Sequence, residues 1–165
     1  MIRAYLRLAP VVLRAVWHCR EGQRVSSIRS RVPLSHVDAF GHMNQARYAE
    51  HFEMGRTDLL VRSGAWQRWR AQGVYPVVAR QEVVYRRELK PLQAFDIDTR
   101  AVGLEGRLLH TQGVMSVGPH VHARADVYLI FLGPAGVLSA EATASCVSDL
   151  LVGPMPLDGW QIAQR

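Results

Sequence analysis

Asp38-Ala39-Phe40-Gly41-His42-Met43-Asn44-Gln45-Ala46-Arg47-Tyr48 is a loop that runs into a helix. Asn44 has the short oxygen-bearing side chain that caps a helix N-terminus. From Gln45 to Arg62, Tyr48, Phe52, Gly55 and Leu59 recur at helical spacing and form one face. Asp58 and Arg62 make an i,i+4 pair assigned to the outside, and Gly64 is a fitting stop. A glycine inside a helix costs about 1 kcal/mol relative to alanine, so Gly55 marks a place where another element packs closely. A short helix is expected around Trp66 to Gln72.

On either side of this helix the pattern is β. Ser26 to Ser35 reads as a strand. Val77, Ala79, Gln81, Val83 and Tyr85 alternate with Arg80, Glu82 and Arg86, and Phe95, Ile97, Thr99 and Ala101 alternate with Asp96, Asp98 and Arg100. A turn at Leu104-Glu105-Gly106 leads into Arg107 to Val117, and Gly118-Pro119 turns into a strand with Val121, Ala123, Ala125, Val127, Leu129 and Phe131 on one side against His122, Arg124 and Asp126. Ser139 to Val152 reads equally as a final strand or a capped helix. One strand, one long helix, then at least four antiparallel strands is an α+β order: a curved sheet with a single helix against its concave face.

The chain has 165 residues, enough for one domain with a proper core and hardly two. Its 48% apolar and 21% charged residues are globular composition. Cys19 and Cys146 are too few for a disulfide scaffold and match no zinc spacing, which favours a reducing compartment. The net charge is +6, with Lys90 the sole lysine. Such basicity admits nucleic acid, a phospholipid surface or a phosphorylated cofactor. Residues 1–24 carry five arginines against Glu21, a net +4, so much of the excess sits in one segment. Read as a helix, that segment puts Ile2, Leu6, Ala9, Leu13 and Trp17 on one stripe beside Arg3, Arg7 and Arg14, and Pro10 is placed to split it. It is too short and interrupted to span a membrane and lacks a signal-peptide cleavage site. Two roles stay open for it: docking on the sheet or a partner subunit, or peripheral membrane contact.

Several chemical motifs are missing. There is no GxGxxG, P-loop, GxSxG or HExxH. His120 and His122 form an HxH on one strand face without a third ligand at informative spacing, so no metal is expected and a solvated strand edge is the preferred reading. The basic residues form no stripe, so nucleic acid is not expected as a partner. In the opening stretch, a carboxylate stands a few residues before a helix N-terminus, whose unpaired N–H groups and partial positive charge suit a carbonyl oxygen. Asp38 could attack the carbonyl carbon or deprotonate a water. Gly41 lets backbone approach a ligand. The bland reading of the same residues is turn and cap.

The string Asp38, Gly41, His42, Met43, Asn44, Tyr48, Phe52, Glu53 and Arg56 resembles the hotdog-fold acyl-CoA thioesterases of the 4-hydroxybenzoyl-CoA thioesterase type. The likeness extends through Tyr85-Arg86-Arg87, Pro91 and Phe95-Asp96-Ile97, and spans residues 26–132 in element order. The resemblance implies a long helix wrapped by an antiparallel sheet over 25–152, preceded by the amphipathic segment 1–24 and followed by a tail, 153–165. It implies hydrolysis of an acyl-CoA thioester with Asp38 catalytic, as base or nucleophile, and the backbone N–H of Gln45 polarising the carbonyl. Gly41, His42, Asn44, Tyr48 and Phe52 would shape the pocket, and Arg86 and Arg87, with Lys90 and Arg100 as further contacts, would meet CoA phosphates. CoA is part of the substrate, so no other cofactor is implied. Sites between protomers imply a homodimer or homotetramer, in the cytoplasm, with peripheral membrane contact through 1–24 left open. Two positions depart from the pattern: 36 is His where many relatives have Asp, and 45 is Gln where a second Asn is usual. Glu53 stands where some hotdog enzymes place a helix carboxylate, a surface ion pair being its other reading. A non-catalytic acyl-binding or membrane-peripheral protein of the same fold is the alternative function; a dehydratase using His42 and Glu53 is a weaker third.

Overall fold

The computed structural model describes residues 2–17 and 23–155, the side chains of 2–7 and 17 excepted. Its elements are α1 (Ile2–Trp17), β1 (Val25–Arg31), α2 (Gln45–Arg62), α3 (Ala65–Ala71), β2 (Tyr75–Tyr85), β3 (Ala94–Glu105), β4 (Leu108–Val117), β5 (His120–Gly133), β6 (Gly136–Val137) and α4 (Ala140–Val147). One antiparallel sheet runs β1-β3-β4-β5-β2, with β6 beside β5. The sheet faces α2 with the predicted apolar sets: Phe95, Ile97, Thr99 and Ala101 of β3, and Ala123, Ala125, Val127, Leu129 and Phe131 of β5, are all buried.

Helix α2 begins and ends where the sequence placed it, because Asn44 Oδ1 accepts the Ala46 N–H at 2.9 Å and Gly64, at φ 76°, lies just past the Ser63 C-cap. Such a cap is worth about 1 kcal/mol. The helix rests on the sheet at two glycines. A Cβ on Gly55 would come within 3.0 Å of Ile97 Cγ2 and closer still to Thr99, and a Cβ on Gly113 would come within 2.7 Å of the Phe52 ring. The close approach expected at Gly55 is therefore with β3.

The structure corrects other expectations. Asp58 is not on the outside; it is fully buried beneath β1, where Ser26 Oγ donates to it at 2.6 Å and Arg62 donates twice, at 3.0 and 2.8 Å. A desolvated carboxylate needs such partners. The first strand stops at Arg31, and Pro33 opens a 3-10 turn at Leu34–His36. Ser139 to Val152 takes the helical option, with Ser139 Oγ accepting the Ala142 N–H at 3.2 Å. His122 and Asp126 are not solvated but buried. Behind the sheet Asp126 accepts from Arg124, His110 and Gln112, and Gln112 Oε1 accepts the Met155 N–H. Burial pushes the Asp126 carboxyl up, but those donors outweigh it and hold it below the usual range.

In β2 the expected single alternation fails. Ala79 is an extra residue, since Val78 pairs with Leu129 and Arg80 with Tyr128. One inserted residue reverses the faces of everything beyond it. Pro76 and Val78 thus point to the helix side before the bulge, and Val83 and Tyr85 after it. On the other face the Arg80 guanidinium lies 3.8 Å from the Tyr128 ring centre.

Helix α1 continues through Pro10. It docks on α2 through a face that includes Leu8, Val12 and the fully buried Ala15, whereas Leu13 of the expected stripe is 71% exposed, together with Val16. The expected roles of Ile2, Leu6 and the Trp17, Arg3 and Arg7 side chains, of Cys19, and of 156–165 in the tail lie outside the described residues. Among the described residues no helix is long and apolar enough to cross a membrane.

Candidate active site

The loop before α2 is held at both ends by backbone. Val37 bridges Met43, Asp38 N–H donates to His42 O at 3.0 Å, Met43 N–H to Leu89 O at 2.8 Å and Asn44 N–H to His36 O at 2.8 Å. Gly41 sits at φ 80° with open space around it, so the turn's backbone conformation, not crowding, calls for glycine. Asp38 Oδ1 accepts the Phe40 N–H at 2.9 Å, and Oδ2 lies 3.7 Å from His42 Nδ1. This Asx-type turn fixes one carboxylate oxygen and leaves the other toward His42.

Asp38 and His42 line a cleft of about 430 Å³ with Met43, Gln45, Tyr48, Tyr85, Arg86, Arg87 and Glu88. Gln45, which lines the cleft, is the first residue of α2, so its N–H has no acceptor within the helix and the positive end of the helix lies beside the cleft. Its side chain is hydrogen-bonded to Tyr85. Tyr48 OH accepts the Leu89 N–H at 3.3 Å and its ring meets Tyr85 edge-on, centroids 4.9 Å apart. Burial first, then the neighbouring Tyr85, Glu88 and Asp38, raise the Tyr48 phenol, against the Leu89 N–H, so it keeps its proton as a donor. The segment bearing the arginines is anchored from β5: Arg86 and Arg87 N–H donate to His122 O at 2.8 and 3.1 Å, and His122 Nδ1–H donates to Glu88 O at 2.9 Å.

Of the residues singled out in the sequence, Asp38, His42, Gln45, Tyr48, Arg86 and Arg87 come together here. Three do not line the cleft. Asn44 spends its side chain on the α2 cap, Gly41 is at the exposed loop tip, and Phe52 is buried against Gly113 one turn deeper. Lys90 and Arg100 also stand apart; Arg100 lies in β3, paired with Val25, its buried Nε without a hydrogen-bond partner among the described residues. Glu53 and Arg56 face another cavity, under α1. Met43, Tyr85 and Glu88 are lining residues that the sequence reading did not assign. Tyr85 and Glu88 come from a segment some forty positions away, and only their adjacency to Arg86-Arg87 hinted at them. His36, the departure from the usual Asp, lies with Nδ1 3.3 Å from His51 Nε2, and His51 Nδ1 is 3.3 Å from Ser30 Oγ. Among the described residues no group of His, Cys, Asp and Glu is placed to hold a metal ion.

The family profile described as the thioesterase-like superfamily matches residues 32–142. The chain belongs to that superfamily. Long-chain acyl-CoA thioesterase FadM of Escherichia coli K12 is 29% identical over 97 residues, 59% of this chain and 74% of FadM. The probable thioesterase YbaW of Escherichia coli superposes with a TM-score of 0.71 at 23% identity, covering 77% of this chain and 99% of YbaW. A mutant 4-hydroxybenzoyl-CoA thioesterase, solved with 4-hydroxybenzoyl-CoA bound, superposes with a TM-score of 0.65 at 11% identity, over 78% and 99% of the two chains. The hotdog architecture is thus shared with solved thioesterases, and by its family this chain is an enzyme of the thioesterase class.

Proposed function

We propose that this protein hydrolyses acyl-CoA thioesters to a free acid and CoA at the cleft in front of α2. The observation that carries the reading is that Asp38 and Gln45, the first residue of α2 at the positive end of that helix, line one cleft. Asp38 acting as base takes a proton from water; the hydroxide adds to the carbonyl carbon and the C=O electron pair moves onto oxygen. The resulting oxyanion is held by the Gln45 N–H and the helix dipole. Collapse re-forms C=O and breaks the C–S bond, and the thiolate leaves with the proton that Asp38 had taken. Asp38 acting as nucleophile instead adds to the carbonyl carbon, and the C–S bond breaks to release the CoA thiolate and leave an acyl anhydride. Water then opens the anhydride to the free acid and the Asp38 carboxylate, with one proton of the water going to the thiolate. Arg86 and Arg87 at the cleft rim supply guanidinium forks for CoA phosphates.

Two further features belong to this proposal. Strand β2 is a long sheet edge with Tyr75, Val77, Val78 and Tyr85 exposed, a surface that proteins normally cover. Pairing of β2 with a second copy would make one continuous sheet and set each cleft beside its partner. On α1, exposed Leu13 and Val16 support peripheral contact with a lipid surface.

The test is Asp38→Asn assayed on a panel of acyl-CoA thioesters with a thiol-detecting reagent. Turnover is expected to fall by about a hundredfold to ten-thousandfold with the thermal melt unchanged. Full turnover in the variant would sink the role given to Asp38, and a parent chain that turns over none of the thioesters would leave the non-catalytic acyl-binding reading.

A further inference from the structure

A second cavity, of about 640 Å³, lies between α1, α2 and β2 and shares no residue with the cleft. Leu8 and Val12 of α1, Leu60 of α2, Trp66 and Val78 make it largely apolar, and its size is in the range that takes a drug-sized ligand. Arg56 is set into this apolar wall. Arg62, six residues on, is bidentate to Asp58. Among the described residues Arg56 has no hydrogen bond or ion pair. Glu53 acts on it only through space, and burial, the larger effect, draws the guanidinium below its ordinary value. A half-buried guanidinium without an anion is costly unless something completes it.

We infer that this cavity is a binding site for a long-chain carboxylate, its hydrocarbon chain lying between α1 and α2 and its head on the Arg56 guanidinium. The planar fork of arginine matches the two oxygens of a carboxylate. The nearby Glu53 carboxylate disfavours a doubly charged phosphate and leaves a monoanion as the better fit. A free fatty acid joins both halves in one molecule. That this ligand is also of the class released at the cleft rests on the proposed hydrolysis; binding under α1 does not, and is measured without turnover.

Trp66 in the wall supplies the readout. The full-length chain is titrated with a dibrominated stearate, whose bromines quench indole fluorescence. Saturable quenching is expected, largely lost in Trp66→Phe. Arg56→Gln, or the methyl ester of the same acid with the unaltered chain, should weaken it about tenfold or more, the worth of a hydrogen bond to a charged group. Arg56→Lys should recover part of the loss, and Val12→Phe, which narrows the cavity and leaves the charge, should weaken long chains selectively. No saturable quenching, as expected were a second copy of the chain to fill the cavity, overturns the inference. So does equal affinity for the methyl ester, undiminished binding in a folded Arg56→Gln, or equal quenching by dibrominated phosphatidylcholine vesicles, which would assign the surface to a bilayer.

Discussion

Replacing Gly55 by alanine sets two effects of opposite sign against each other. Alanine is the better helix former by about 1 kcal/mol, so on propensity alone the variant gains stability. The new Cβ, however, would sit 3.0 Å from Ile97 Cγ2 and nearer to Thr99 Oγ1. Both belong to β3, which is held between β1 and β4 and cannot withdraw as a flexible side chain would. Overpacking of a well-filled core costs about 1–3 kcal/mol, and two contacts on a constrained strand argue for the upper end. The net loss is then about 2 kcal/mol, a fall in Tm of about 4–8 °C for a chain of this size. Thermal and urea melts of Gly55→Ala, Thr99→Ala and the double variant read this directly. Thr99 Oγ1 is buried and has no hydrogen-bond partner among the described residues, so Thr99→Ala alone should cost little, and in the double variant it should return about 1 kcal/mol or more as a coupling energy. A Gly55→Ala protein as stable as the parent, or a cycle without coupling, would refute the close-approach argument.

Arg62→Met should destabilise by about 3–5 kcal/mol, because it leaves Asp58 fully buried with Ser26 as its remaining partner; Arg62→Met combined with Asp58→Leu should recover most of that in the same melts. His122 lies below the ordinary histidine value of 6.5, chiefly through burial, with Arg87 and His120 adding to it against the Glu88 carbonyl. Just below 6.5 the unfolded chain therefore binds more protons than the folded one, so this contribution is intact above that pH and is lost as pH falls toward the folded value. His122→Gln, which keeps a donor for Glu88 O, should flatten the fall in urea midpoint between about pH 7.5 and about pH 5.5; an unchanged slope would place the sensitivity elsewhere.

The elements were legible in the sequence where a local signal coincided with the tertiary one. Asn44 and Gly64 bracket α2 because capping is decided within a few residues, and the alternation in β3 and β5 shows because one face of each meets α2. The inward turn of Asp58 depends on how far the sheet curls, which places β1 over a side of the helix that looks polar along the chain. Pro10 misleads because packing on α2 keeps α1 helical through it. At the cleft, Asp38, His42 and Gln45 were visible because they are contiguous, whereas Tyr85 and Glu88 arrive from the end of β2, where nothing but the fold brings them in. Phe52 illustrates the converse: helical spacing put it on the face of Tyr48, but one turn deeper that face meets Gly113 instead of open space.

The extra residue at Ala79 ties two chambers to one strand in opposite phase. Even positions look inward at the α1 end and odd positions at the cleft end. A chain that lost Ala79 itself would only straighten the strand, with Tyr85 still opposite Ala123, whereas one that lost a residue between Arg80 and Tyr85 would keep its strand yet turn Tyr85 out to solvent and bring Arg86 inside. The spacing between the two chambers is thus counted in single residues, and point substitution in β2 is open to variation where insertion and deletion past the bulge are closed.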